Sequence, residues 1–421
     1  MDESGAPRRA VVAWSLYDWA NSAFTTLVIT FVYGTYFTKA IAPDELTGTT
    51  QWAWMMGLGG IAIALLSPVI GASADRRRRR RAYLMAATWL CVGCTAAVAF
   101  VSPGMEQAVL YALGLVFLAN VAFEVGMVLY NSFLPSLAPA ARMGRVSGYG
   151  WACGYLGGLL CLALALVVLV RSDPLFGIST EAGFNYRATN LLVAGWLFVF
   201  SIPMFLWVRE PAGRERSAGP GVFAELADTF RKIRAHRDVV RFLIARLIYN
   251  DGLVTVFAFG GIYAAGTFGL TLDEVILFGI VLNVAAGIGA WVFGFVDDRL
   301  GAKTTIMVSL AALTGFTALA ALAPSVFWLW VAGVGIGIFV GPNQSASRSL
   351  MSRLTPPAQA GEFFGFFAFS GKVTAFIGPF LLGGVTALAQ SQRAGVATII
   401  GFFAIGAYVL AGLKERTDPT G

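Results

Sequence analysis

Histidine is nearly absent from this chain of 421 residues, with one copy, and cysteine is scarce, with four. His236 stands alone, so no histidine metal cluster is expected. Cys91, Cys94, Cys153 and Cys161 all fall in apolar stretches. Cys91-Val92-Gly93-Cys94 is formally C-x-x-C, but on an apolar helix residues three apart share a face, which favours packing over redox or metal work. Charged residues make up 13% of the chain, against about 25% in soluble domains. There is no G-x-x-x-x-G-K-[ST] phosphate loop and no H-E-x-x-H, so neither ATP drive within the chain nor zinc protease chemistry is expected. No enzyme signature and no cofactor requirement are visible.

Long apolar runs fill that space. Hydrophobic residues reach 57%, and runs of about 20 residues, the length that crosses a bilayer, occur at twelve places: 11–38, 52–74, 82–101, 107–135, 146–170, 188–208, 239–267, 273–296, 302–322, 326–350, 361–389 and 394–413. The 49 glycines suit close helix packing in lipid. An all-α integral membrane protein follows.

A net charge of +7 would suit nucleic acid, but its distribution points elsewhere. Of the 30 Lys and Arg, only Lys39, Arg171, Arg187 and Arg393 fall in odd-numbered loops, and Arg246 and Lys372 lie inside spans. The rest occupy the termini and even-numbered loops. This positive-inside pattern puts both termini in the cytoplasm, and makes Arg76–Arg81 a topology lock and an anionic-lipid contact. The polar N-terminus and long first span lack a small-residue cleavage site, so no signal peptide is expected.

One loop signature occurs twice. Gly71-Ala72-Ser73-Ala74-Asp75-Arg76 and Gly294-Phe295-Val296-Asp297-Asp298-Arg299 each sit between two apolar runs. Residues 132–158 also align with 349–375 at an offset of 217, pairing Pro139 with Pro356, Gly144 with Gly361, Gly148 with Gly365 and Gly154 with Gly371. Matching glycines and prolines mark shared backbone geometry. The chain therefore divides into an N-terminal six-helix bundle at 1–208, a central cytoplasmic loop at 209–238 with an amphipathic helix carrying Phe223, Leu226, Phe230 and Ile233, and a C-terminal six-helix bundle at 239–421. Duplicated bundles in a membrane are the architecture of an alternating-access transporter.

Twelve spans, two halves, a charged central loop and the doubled G-x-x-x-D-R loop resemble the major facilitator superfamily over the whole chain. Four further stretches, Trp14-Ser15-Leu16-Tyr17-Asp18-Trp19-Ala20-Asn21-Ser22-Ala23-Phe24, Ala245-Arg246-Leu247-Ile248-Tyr249-Asn250-Asp251-Gly252, Gln344-Ser345-Ala346-Ser347-Arg348-Ser349-Leu350 and Glu362-Phe363-Phe364-Gly365-Phe366, resemble the bacterial branch of the vacuole-effluxer-like permeases. Eukaryotic members are associated with autophagy and with amino-acid export from the vacuole. The resemblance implies amino-acid efflux across the inner, cytoplasmic membrane by a multi-pass monomer. The first loop copy departs from the superfamily pattern after Arg76, where arginine replaces the usual glycine.

Ionisable groups inside a bilayer cost several kcal/mol unless paired or hydrated, so each is a functional candidate. These are Asp18, Glu124, Arg246, Asp251 and Lys372, with Asn21, Tyr249, Asn250, Asn343 and Gln344 as polar companions. The superfamily resemblance places most of them in a central cavity lined by spans 1, 4, 7 and 10. Mixed acids, bases and amides suit a zwitterion, its amine on a carboxylate and its carboxylate on Lys372 or Arg246. Glu124 and Asp251 are proton-coupling candidates. The structural alternative is a pair of internal ion pairs, Asp251 with Arg246 and Glu124 with Lys372.

A gate follows from the repeat. Arg145 and Glu362 are equivalent, and the resemblance sets each against the signature loop of the opposite half: Arg145 against Asp297 or Asp298, and Glu362 against Arg76–Arg81. Asp75 and Asp298 are further expected to accept from the exposed amides at the starts of spans 11 and 5. Arg299 and Arg348 complete the candidate gate, the latter at the cytoplasmic end of span 10. The leading reading is a secondary transporter of small polar solutes. A proton-coupled exporter of drugs or amphipathic metabolites remains open, as does a non-transporting membrane sensor or scaffold.

Overall fold

The computed structural model describes residues 6–171, 173–210 and 237–413, and they are helical almost throughout. His236 and the expected amphipathic helix of the central loop lie outside the described residues. Eleven helical stretches are long and apolar enough to cross a membrane.

The first span adds a twelfth crossing, but not as one continuous α-helix. It begins as α1 (Arg8–Ala23) and continues through a π-helical segment, Phe24–Phe31, a single turn, Tyr33–Tyr36, and a second π segment, Phe37–Ile41. The run from Thr25 to Val32 is rich in β-branched residues, which crowd the preceding turn of a tight helix. The carbonyls a wider turn displaces find hydroxyl donors: Thr26 Oγ1 donates to Ser22 O at 2.8 Å and Thr30 Oγ1 to Thr25 O at 2.8 Å.

Five helices complete the first bundle: α2 (Glu45–Arg77), α3 (Arg80–Val98), α4 (Ala108–Asn131), α5 (Met143–Val168) and α6 (Phe184–Trp207). Asp44 caps α2, accepting from Thr47 N at 2.9 Å. The second bundle opens with α7 (Arg237–Phe268), α8 (Leu272–Leu300), α9 (Ala302–Leu322) and α10 (Val326–Leu354). A capping box between Thr271 and Glu274 starts α8.

The crossing expected at 361–389 is built from two helices, α11 (Ala360–Lys372) and α12 (Ile377–Ala389), and α13 (Gln392–Ala411) ends the described chain. Pro379 explains the division. Its ring would clash with the Ala375 carbonyl of an unbroken helix, whereas in the first turn of α12 its missing N–H is not required.

Within the first half α1 packs on α5 and α6, and α3 on α4; within the second, α7 packs on α13, and α10 on α8 and α9. The halves meet along α5–α8 and α2–α11. Glycine permits that approach. A Cβ on Gly148 would stand 2.5 Å from Ala290 O of α8, and one on Gly365 the same distance from Pro68 Cα of α2. At the extracellular ends two arginines serve as caps: Arg187 Nη1 donates to Ala99 O at 3.1 Å, just past α3, and Arg393 Nη1 to Ala321 O at 2.9 Å, in the last turn of α9.

Candidate functional site

The two halves are tied together at three successive depths, starting from the cytoplasmic ends. At the first, each signature loop holds the start of a helix in the other half. Asp298 Oδ1 accepts from Gly144 N at 2.8 Å and Arg145 N at 3.3 Å, and Asp298 Oδ2 pairs with Arg145 Nε. Asp75 accepts from Gly361 N at 3.1 Å and Glu362 N at 2.9 Å, and pairs with Arg80. Both carboxylates thus sit at helix N-termini, where free N–H groups and the helix dipole favour an anion. Arg80 also donates to Pro357 O of the second half at 2.8 Å. Asp297 is bound within its own half by Arg353 at 2.7 Å. Arg299 is exposed at the end of α8, and Glu362 is buried.

The second depth is a buried ion pair. Arg348 Nη1 on α10 stands 2.9 Å from Asp18 Oδ2 on α1, with both side chains almost inaccessible. Tyr130 donates its hydroxyl to the same carboxylate oxygen at 3.0 Å. Arg348 further donates to Ser147 Oγ at 2.9 Å, Ser147 O at 2.6 Å and Asn131 Oδ1 at 3.2 Å. Its guanidinium lies 4.7 Å from the Trp14 ring, which stacks on Tyr130. Every guanidinium nitrogen is thus hydrogen-bonded and Asp18 Oδ2 is met by two donors, which offsets the desolvation of two charges. Asp18, expected beside the substrate, is enclosed in this cluster, and Arg348, expected at an interface, is its centre.

The third depth carries the accessible charges. Glu124 stands about 10 Å farther from the cytoplasmic end than Asn131 on α4, and its Oε1 is 2.5 Å from Lys372 Nζ at the end of α11. Both side chains are partly exposed, at 19% and 35%. Tyr155 on α5 crosses in the other direction and donates to Gln344 Oε1 on α10 at 2.8 Å. Tyr155 and Lys372 are repeat equivalents, so each half extends one residue from the same place onto its neighbour.

The break in span 11 organises the remaining groups. Arg246 Nη1 donates to Phe367 O at 2.6 Å and Ser370 Oγ at 3.0 Å, with its guanidinium 3.6 Å from the Phe367 ring centre. One turn on, Asn250 Nδ2 donates to Gly371 O at 3.0 Å. Both satisfy carbonyls at the C-terminal end of α11, and the arginine suits that end of the dipole. The expected Arg246–Asp251 ion pair is not formed among the described residues, where Arg246 instead holds Phe367 O and Ser370 Oγ. Asp251 is buried, and among the described residues its Oδ1 has no hydrogen-bond partner.

Asn21 Nδ2 donates to Met127 Sδ at 3.1 Å, and Tyr249 OH shares a 2.8 Å hydrogen bond with Ser347 Oγ. Asn343 is buried with neither amide atom partnered among the described residues. Ser147, Tyr130, Asn131 and Trp14 were not expected around Arg348. Trp14 lies in one of the family-like stretches, and Asn131 stands at the repeat offset of 217 from Arg348, but nothing in the spacing of Ser147 or Tyr130 marks them.

Two six-helix bundles joined in this way form the major facilitator fold of secondary transporters. The chain aligns with the proton:xylose symporter XylE at a TM-score of 0.77 over 96% of this chain and 94% of that one, at 13% identity. It aligns with the E. coli fucose:proton symporter FucP at 0.76 over 97% and 98%, at 14% identity. The family described as "Vacuole effluxer Atg22 like" matches residues 49–417, and the chain belongs to that family. A Bacillus subtilis (strain 168) relative, "Uncharacterized MFS-type transporter YxiO", is 26% identical over 96% of this chain and 95% of its own. "Autophagy-related protein 22-1" of Aspergillus niger is 27% identical over 58% of this chain, which spans 42% of that protein's length.

Proposed function

We propose that this transporter moves small zwitterions, namely amino acids, out across the cytoplasmic membrane by alternating access, driven by protons. The observation that carries the reading is the Glu124–Lys372 pair. A carboxylate and an ammonium from opposite halves face each other with partial exposure, beyond two closed layers on the cytoplasmic side. An amino acid carries the same two charges. Its amine would take the place of Lys372 at Glu124, and its carboxylate the place of Glu124 at Lys372, so binding exchanges one ion pair for two. Because each partner belongs to a different half, binding also acts on the equilibrium between states.

Protons enter through Asp251. A carboxylate inside a membrane is a functional candidate by default, and Asp251 is buried with its Oδ1 unpartnered among the described residues. Opening of the span 11 break would give it access to water. Efflux as the direction, and amino acids as the cargo, rest on resemblance to the effluxer family.

Purified protein in proteoliposomes with a panel of amino acids tests this. Flux accelerated by a proton gradient is expected, and Lys372→Gln is expected to weaken binding of an amino acid more than of its decarboxylated amine. Equal losses for both would make Lys372 structural, and no flux of any amino acid would overturn the substrate class.

A further inference from the structure

A cleft of 560 Å³ opens between the cytoplasmic end of α1, the start of α5 and the loop before it. It lies outside the transport path described above, and all its lining residues belong to the first half. Its walls are apolar, with Val11, Val12 and Leu16 on one side and Leu137 and Val146 on the other. Arg8, Arg142 and Arg145 also line it, with no acidic side chain among the lining residues. Arg145 is engaged by Asp298, whereas no ion pair ties Arg8 or Arg142 to a carboxylate among the described residues.

An apolar slot with uncompensated positive charge at the membrane's cytoplasmic face fits one class of molecule. Its occupant needs an anionic head at the interface and a hydrocarbon tail in the bilayer. Beyond Cys153, at the far end of the slot, α5 presents Leu156, Leu160 and Leu164 one helical turn apart, and all three are exposed. They continue the slot as an apolar strip along the outer face of the helix.

We propose that this cleft is a binding site for an anionic phospholipid of the cytoplasmic leaflet. The phosphate sits between Arg8 and Arg142, and an acyl chain follows the α5 strip. Cytoplasmic leaflets are negatively charged and attract basic side chains at this depth, and a guanidinium fork matches phosphate oxygens. Arg145 stands at the same cleft and holds the Asp298 latch, so the lipid and the closed cytoplasmic end draw on one side chain.

Native mass spectrometry of the purified full chain with phosphatidylglycerol, phosphatidylcholine or glycerol phosphate tests the site. Wild type is expected to retain phosphatidylglycerol at collision energies that strip phosphatidylcholine, and to retain no glycerol phosphate. The double variant Arg8→Gln/Arg142→Gln is expected to lose about tenfold or more in phosphatidylglycerol retention, as for two basic groups at an anionic surface. Arg237→Gln/Arg241→Gln, two exposed arginines at the start of α7 and outside the cleft, is expected to retain it. Equal retention by both variants, or of both lipids, would overturn the proposal, and so would glycerol phosphate binding as tightly as the lipid. Cys153 lines the cleft and gives an independent readout. Its alkylation by a lipid-soluble maleimide is expected to slow in phosphatidylglycerol vesicles relative to phosphatidylcholine, and an unchanged rate counts against the site.

Discussion

Asn131 and Arg348 are the same position of the internal repeat, 217 residues apart, and they hydrogen-bond to each other at 3.2 Å. Equivalent residues of two related halves can touch only near the axis that relates them. The arginine therefore marks that axis, and it has no charged counterpart in the first half. Its charge is met instead by Asp18, from a different helix.

Removing one member of this pair leaves the other buried and uncompensated, a loss of about 3–5 kcal/mol. Asp18→Asn and Arg348→Gln are each expected to lower the melting temperature sharply. The double variant is expected to recover much of the loss. Thermal melting in detergent measures this, and strictly additive losses would show that the pair is not coupled.

At the cytoplasmic face, Arg145→Glu is expected to move the protein toward the inward-open state, and adding Asp298→Arg to restore part of the balance. The carboxylates of Asp75 and Asp298 are buried, so removing a partner costs more than at an open surface, and about 1.4 kcal/mol is a tenfold change in population. Spin-label distances across the cytoplasmic ends give the readout. No interaction energy in the double-mutant cycle would mean that these charges serve topology alone.

Close backbone approach gives a second lever on the same equilibrium. Gly148→Ala and Gly365→Ala each place a methyl against backbone of the opposite half. Both are expected to weaken the closed cytoplasmic end, and to raise labelling of a cysteine introduced just inside it. Unchanged labelling would show that the helices separate without cost at these positions.

Asp251→Asn keeps the size of the side chain and removes its titration. It is expected to abolish proton-driven accumulation in proteoliposomes while leaving counterflow exchange near wild-type rates. A variant that still concentrates substrate uphill would remove Asp251 from the coupling mechanism.

Pro379→Ala is expected to let α11 and α12 join, raising the melting temperature modestly and slowing turnover. A proline within a helix costs about 3 kcal/mol or more, though here part of that is relieved by the break. Faster transport by the variant would contradict a role for the break in movement.

The crossings and the contact of Arg145 with Asp298 are legible in the sequence for one reason. Repeated glycines, prolines and acidic residues at a constant offset report backbone geometry, and a twofold operation then sets each loop against the opposite half. The Asp18–Arg348 pair is not legible in that way, because its partners are 330 residues apart and not repeat equivalents. Span 11 reads as one apolar run, and Pro379 alone hints at its division. The π segments of the first span escape a search for 3.6-residue spacing, because their buried residues Phe24, Val28, Val32 or Tyr33, Phe37 and Ile41 recur at a longer interval.

The two extracellular caps bear on how each half closes. Arg187 reaches the far side of the membrane as a charge, and the carbonyl that receives it belongs to the end of span 3. Arg393 depends in the same way on the end of span 9. In each half the last crossing carries a cation outward to a docking point that the third crossing provides. Closure of each bundle at this end is therefore internal: its own sixth crossing meets its own third.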